Sequence, residues 1–285
     1  MYKGGGMKRA AVHKSHVFAG GPHIMGVVNV TPDSFYDGGK FSNIDKAIEH
    51  GIVLAQQGAT LLDIGGESSR PGAQEIDYKE EIERIVPVIA ALKGHAPWLS
   101  VDTRHARTME AALKAGANVI NDISALTHES ESIHVAAEAQ VPVILMHMQG
   151  DPVTMQKNIS YKNVIDDIFQ YLQQRINYCE TNRIDENLLI IDPGIGFGKT
   201  PEQNLKILGN IKKFHDLGPP VLLGTSRKSF IGHFSQGEPP DDRLPGSLAS
   251  ALWGLSQGVQ IFRVHDVRET AQAFRIFQAI SESGA

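Results

Sequence analysis

Eight short apolar runs along the chain end at or just before polar side chains. These are Asn29, Asp63, Asp102, Asn121, His147, Asp192, Lys228, and Arg263 with His265. Arg263 and His265 stand two apart, so on extended backbone they share a face. Together with Arg70 they form a set of anion donors, to which Asn29 and Ser69 add neutral polar groups. A strand end followed by such donors is where barrels commonly hold phosphate.

Asp192 and Asn121 point to a second kind of ligand. A carboxylate accepts two parallel N–H bonds from a guanidine-like edge, and an amide both donates and accepts. That pair suits a pterin or guanine edge. Lys228 would donate to a ring oxygen or nitrogen, and Met146 and Phe197 would supply apolar walls. Plainer roles compete for several of these residues. Asp63 and Asp122 also read as turn or helix-cap residues, and Arg263 as the ion-pair partner of Asp266 or Glu269. Met146-His147-Met148 reads as packing before soft-metal binding.

Positioning these groups requires buried strands. Residues 24–39, IMGVVNVTPDSFYDGG, begin as a Val-rich run and break at Asn29, Pro32 and Gly38-Gly39, so a buried strand delivers polar groups onto a loop. The same alternation continues. Strands are predicted over 60–64, 98–101, 118–120, 142–146, 188–191, 220–223 and 259–262. Helices are predicted over 45–57, 75–93, 104–115, 129–139, 161–181, 201–215, 243–257 and 269–281. Eight strand–helix pairs in 285 residues predict an α/β fold, a closed (β/α)8 TIM barrel, with an open doubly wound sheet as the structural rival. No linker divides the chain, so residues 23–285 are expected to form one domain. Residues 1–22 are expected to be a leader, flexible or covering the bottom of the barrel.

Composition excludes other classes. Net charge is −5, from 27 basic and 32 acidic side chains, with no basic tract of the kind that binds nucleic acid. No apolar run approaches the roughly 20 residues that span a bilayer, and no secretory signal core is visible. Cys179 is the only cysteine, which rules out an internal disulfide, and it reads as a packing residue. The expected location is the cytoplasm. The run DPGIGFGKT over 192–200 ends like a Walker loop, but Gly194 stands one residue too close to Gly198-Lys199, so a nucleotide site is not expected there.

Seven motifs carry a family resemblance: NVTPDSF (29–35), GGESSRPGA (65–73), SVDT (100–103), NDISA (121–125), DPGIGFGK (192–199), SRKSFIG (226–232) and RVHD (263–266). In order and spacing they resemble the motif series of the dihydropteroate synthases, across 24–280. One departure is Ser69, where that family usually has Thr. The resemblance implies a homodimeric barrel that condenses 6-hydroxymethyl-7,8-dihydropterin diphosphate with p-aminobenzoate, releasing pyrophosphate, and that sulfonamides target. By motif position, Asp102, Asn121, Met146, Asp192 and Lys228 would hold the pterin, and Asn29, Arg263 and His265 the pyrophosphate, with Asn29 reaching Mg²⁺. Ser69, Arg70, Pro71, Phe197 and Ser226 would surround p-aminobenzoate.

The expected chemistry is an SN1-like substitution at a carbon whose cation the dihydropterin delocalises. Asp33, Lys228, Arg263 and His265 are the expected catalytic set, with Asp33 facing the cation from a mobile lid over 31–39. Two other readings compete. A methyltetrahydrofolate:corrinoid methyltransferase shares a pterin-binding barrel but gives no reason for Arg263-x-His265 or Arg70-Pro71. A non-catalytic pterin-binding protein would be expected to lack Asn29, Asp33 or Arg263, and all three are present.

Overall fold

Alternation within the short strands sorts the whole interior. The computed structural model describes residues 16–31, 40–68 and 72–284, with backbone alone for 40–42. Its strands are β1 (His23–Asn29), β2 (Leu61–Gly65), β3 (Trp98–Asp102), β4 (Val119–Asp122), β5 (Val143–Met146), β6 (Leu189–Asp192), β7 (Leu222–Leu223) and β8 (Ile261–Val264). The helices are α1 (Lys40–Gln56), α2 (Tyr78–Leu92), α3 (Ala106–Ala115), α4 (Ser132–Ala139), α5 (Val164–Thr181), α6 (Pro201–Gly209), α7 (Ser229–Phe234), α8 (Leu244–Ser256) and α9 (Val267–Ser283).

Consecutive strands pair in parallel from β1 to β6, β7 pairs with β8, and β8 pairs with β1. A parallel bridge between Ile191 and Val221 joins β6 to the segment leading into β7, which closes the ring. The closed barrel expected from the sequence is therefore the fold, and the open sheet is excluded by the β1–β8 pairing.

Met25, Leu61, Val119, Ile144, Ile190, Leu222 and Ile261 fill the lower interior as one buried cluster. Two residues further along the same strands stand Val27, Asp63, Asn121, Met146, Asp192, Gly224 and Arg263. A strand presents every second side chain to one face, so the apolar layer dictates a polar layer above it. The intervening residues, such as Val28, Leu62, Val101, Ile120, Leu145 and Ile191, form the larger core beneath the helices. Phe18, also fully buried, joins the lower cluster, with its ring 5.0 Å from that of Trp98.

Local signals explain the helix ends. Thr200 and Gln203 form a reciprocal capping box at α6, with Pro201 in the first turn. At the end of α3 the N–H of Gly116, at φ 125°, reaches the carbonyls of Ala112 and Leu113. Two of the differences from the sequence expectation have plain causes. The six-residue α7 was not foreseen, because so short a helix leaves no readable period. Arg263 lies inside β8 rather than after it, because the strand continues into the polar layer. No helix among the described residues is long and apolar enough to cross a membrane.

Candidate active site

Polar groups converge at the carboxyl ends of the strands around Arg263. Its Nε donates to Asp63 Oδ2 at 2.7 Å and its Nη2 to Asp102 Oδ2 at 2.8 Å. Asn121 Nδ2 donates to the same Asp63 oxygen at 3.1 Å. Asp63 is thus no cap or turn residue. It is fully buried within β2 and orients both Arg263 and Asn121. Of the alternative partners for Arg263, Asp266 is instead held by Arg227 through two bonds of 2.7 and 3.1 Å. Asp122 does play the turn role, accepting from the backbone N–H groups of Ser124 and Leu126.

Burial and the neighbouring Asp63 push the Asp102 carboxyl up to about 7, against the opposing pull of Arg263. Asp192 ends β6, and its Oδ1 accepts from Gly194 N at 2.7 Å. Burial raises Asp192 to about 6, opposed by the Gly194 N–H and the charge of Lys228. It therefore remains a carboxylate above neutral pH, able to accept hydrogen bonds.

Of the two adjacent basic residues at the end of β7, the tertiary structure separates the roles. Arg227, at φ 60°, turns to Asp266 and Asp241. Lys228 instead stands over the Phe197 ring, with Nζ 4.1 Å from its centre. The same amine acts on Asp192, whose carboxyl its charge pulls down. Met146, at the end of β5, is buried and belongs to the same polar-layer register as Asp192.

Ser226, expected beside the aromatic substrate, is joined to His265. Its Oγ accepts from the His265 backbone N–H at 3.2 Å and lies 3.0 Å from Nδ1. With the hydroxyl proton directed at Nδ1, His265 carries its own proton on Nε2. Burial, reinforced by Arg263, holds the imidazole down to about 3. His265 is therefore a neutral imidazole at pH 7, not a second positive charge.

Lys199, set aside as a false Walker lysine, is instead a buried tie. Its Nζ donates to the carbonyls of Phe197 and His147 at 2.8 and 3.2 Å and lies 3.1 Å from His147 Nδ1. Burial lowers its amine to about 7, partly offset by Asp192, while burial and Lys199 together keep His147 neutral. This tie fastens the end of β5 to the loop after β6. Gly194 makes the same approach possible: at φ 70°, a Cβ there would overlap the His147 carbonyl oxygen. Gly194→Ala is expected to lower stability by more than about 2 kcal/mol in urea unfolding, from left-handed strain plus overlap.

Sequence reasoning missed the support behind Asp102. Glu81 of α2 is fully buried and accepts from the Thr103 hydroxyl at 2.8 Å, and Arg104 binds Glu67 at 2.9 and 3.2 Å. A glutamate at an inward helical position was the available signal for Glu81. A recess beside Asp102 is lined by Glu67, Ser68, Arg104, Ile123 and Pro152. Asn29 ends β1 at the same rim, paired in register with Gly65. Asp33, Ser69, Arg70, Pro71 and all but Thr31 of the expected lid lie outside the described residues.

A profile of the family described as "Pterin binding enzyme" matches residues 25–265. The dihydropteroate synthase of Escherichia coli (strain K12) is 44% identical over 259 residues, covering 90% of this chain and 91% of that protein. Among solved structures, Xanthomonas albilineans dihydropteroate synthase with 4-aminobenzoic acid aligns with a TM-score of 0.86 at 43% identity, covering 92% of this chain and 93% of that one. The Yersinia pestis dihydropteroate synthase in complex with a sulfonamide drug also gives 0.86, at 44% identity, covering 92% and 94% of the two chains.

Proposed function

The chain belongs to the pterin-binding enzyme family, as a dihydropteroate synthase, and from that premise we propose how its residues divide the reaction. The observation that supports the division is the buried Asp192 carboxylate, in the same interior layer as Asn121 and within reach of the Lys228 charge. Asp192 Oδ1 is used by Gly194, which leaves Oδ2 for the guanidine-like edge of a dihydropterin. Asn121, oriented by Asp63, and Lys228 complete the ring contacts. Asp102 and Met146 bound the pterin, and Phe197 is the wall shared with p-aminobenzoate. Ser69, Arg70 and Pro71 complete the p-aminobenzoate side.

The diphosphate lies toward Arg263, His265 and Asn29. Nε and Nη2 of Arg263 are engaged by carboxylates, so Nη1 is the group offered to a phosphate oxygen. His265 offers its Nε2–H as a neutral donor. Asn29 provides one neutral oxygen, which fits Mg²⁺ only as an ion held mainly by phosphate oxygens and water. Bound there, Mg²⁺ would neutralise charge developing on the leaving diphosphate.

The bond from the pterin methylene carbon to oxygen breaks, and its electron pair leaves with the diphosphate. The p-aminobenzoate nitrogen then supplies the pair for the new C–N bond and loses a proton to solvent. Stabilising the transient cation is the role assigned to Asp33. The enzyme acts in the cytoplasm as a homodimer. Exposed apolar side chains at Trp253 on α8 and at Ile276 and Ile280 on α9 support a self-associating face.

Mixing 6-hydroxymethyl-7,8-dihydropterin diphosphate, p-aminobenzoate and Mg²⁺ with the protein is expected to release pyrophosphate and 7,8-dihydropteroate in equal amounts. Chelating the Mg²⁺ is expected to stop turnover. Absence of pyrophosphate release in the complete mixture would overturn the assignment.

A further inference from the structure

A second cluster of ligating side chains lies where the loops after β2 and β4 meet the start of α3. Glu75, His105 and His128 bring three ligand atoms within 4.8 Å of one another. Glu75 Oε1 is 3.2 Å from His128 Nε2 and 4.0 Å from His105 Nε2. The two imidazoles meet edge to face, with centroids 5.2 Å apart.

The tautomer of His105 is set by its other neighbour. Glu129 Oε2 accepts from the backbone N–H of Ala106 at 2.8 Å, which fixes the carboxylate. Its Oε1 lies 3.0 Å from His105 Nδ1, so that nitrogen carries the proton. Nε2 is then the ring nitrogen left to ligate. It is buried, on a side chain 8% exposed, and has no hydrogen-bond partner among the described residues. A carboxylate that orients an imidazole through Nδ1–H while Nε2 faces outward is the arrangement that supports metal-ligating histidines. Nearby Arg104 does not displace a cation. It is neutralised by Glu67 at 2.9 Å and stands 3.9 Å from Glu75.

We propose that Glu75, His105 and His128 form a Zn²⁺ site, with water as the fourth ligand. Two imidazoles and one carboxylate are a zinc donor set, and imidazole nitrogens do not suit Mg²⁺. Tetrahedral bonds of about 2.0–2.2 Å require ligand atoms roughly 3.3–3.5 Å apart. Glu75 Oε1 already stands near that spacing from His128 and needs a shift of less than about 1 Å toward His105, small for an exposed side chain. The ion would tie the loop after β2, which carries Glu75, to the start of α3 and the loop after β4.

Chelator-treated, dialysed full-length protein titrated with ZnCl₂ in a calorimeter at pH 7.5 tests the site. One equivalent is expected to bind, and Co²⁺ is expected to give the intense visible bands of a tetrahedral complex. His128→Ala and Glu75→Gln, both on partly exposed side chains, should each weaken binding at least tenfold, and His105→Gln should abolish it. His233→Ala, a surface pair with Glu202 elsewhere, should leave binding unchanged. Equal affinity in wild type and His128→Ala, or displacement of the Zn²⁺ by excess Mg²⁺, would overturn the proposal. So would binding lost only in His233→Ala. Turnover is not measured, so the outcome is independent of the assigned reaction.

Discussion

Asp192→Asn is expected to lower kcat/KM for the pterin diphosphate at least about 100-fold, close to 3 kcal/mol of lost transition-state binding. The substitution is nearly isosteric, and the Asn Oδ1 can still accept from Gly194 N as Asp192 Oδ1 does. The fold around the end of β6 is therefore preserved. The change falls on the second oxygen, which becomes an NH₂ facing the donors of a guanidine-like edge. Donor then opposes donor, and the charge that strengthened the contact is gone. Affinity for the pterin diphosphate and kcat/KM should fall together, with the urea midpoint little changed. A kcat/KM within threefold of wild type would remove Asp192 from the pterin site.

Arg263→Met is expected to destabilise the protein by about 3–5 kcal/mol at pH 8, because it strands buried carboxylates that were paired. Asp63 is fully buried and Asp102 is 11% exposed, and both lose their ion pair. The deficit should depend on pH with a definite sign. In the wild type, burial and then Asp63 raise Asp102 to about 7, above its unfolded value. A raised carboxyl contributes stability that is fully present below the unfolded value near pH 4 and lost as pH rises through about 7. Removing Arg263 takes away the charge that opposed this rise, so the variant's native state binds protons at higher pH than the wild type. Its deficit should shrink from pH 8 to pH 5. Urea unfolding at pH 5, 6.5 and 8 measures it, and a deficit that is small or independent of pH would show that Arg263 does not neutralise the pair.

These two residues mark different levels of legibility. Asp192 could be read as a ligand group from position alone, since a carboxylate that ends a short apolar run before Pro-Gly has few other duties. Arg263 could be read as a strand-end cation, but not as the partner of Asp63 and Asp102. Those residues are 200 and 161 positions away in the chain, and only ring closure through β1 and β8 brings them together.

The order of eight apolar runs, each with a polar end, is local information. A buried parallel strand must be apolar on both faces, so the barrel and the end that carries the site follow from composition and spacing. The motif series likewise identifies the family without coordinates. What the tertiary structure alone decided is pairing and direction. It turned Asp63 from a turn residue into the anchor of Arg263 and Asn121, and Lys199 from a failed nucleotide motif into a buried tie. It sent Arg227 to Asp266 while Lys228 met Phe197, and it made His265 neutral. Each of these depends on side chains remote in sequence and on the burial they share. Charge and hydrogen bonding in a low-dielectric interior are set by those neighbours, not by residue type.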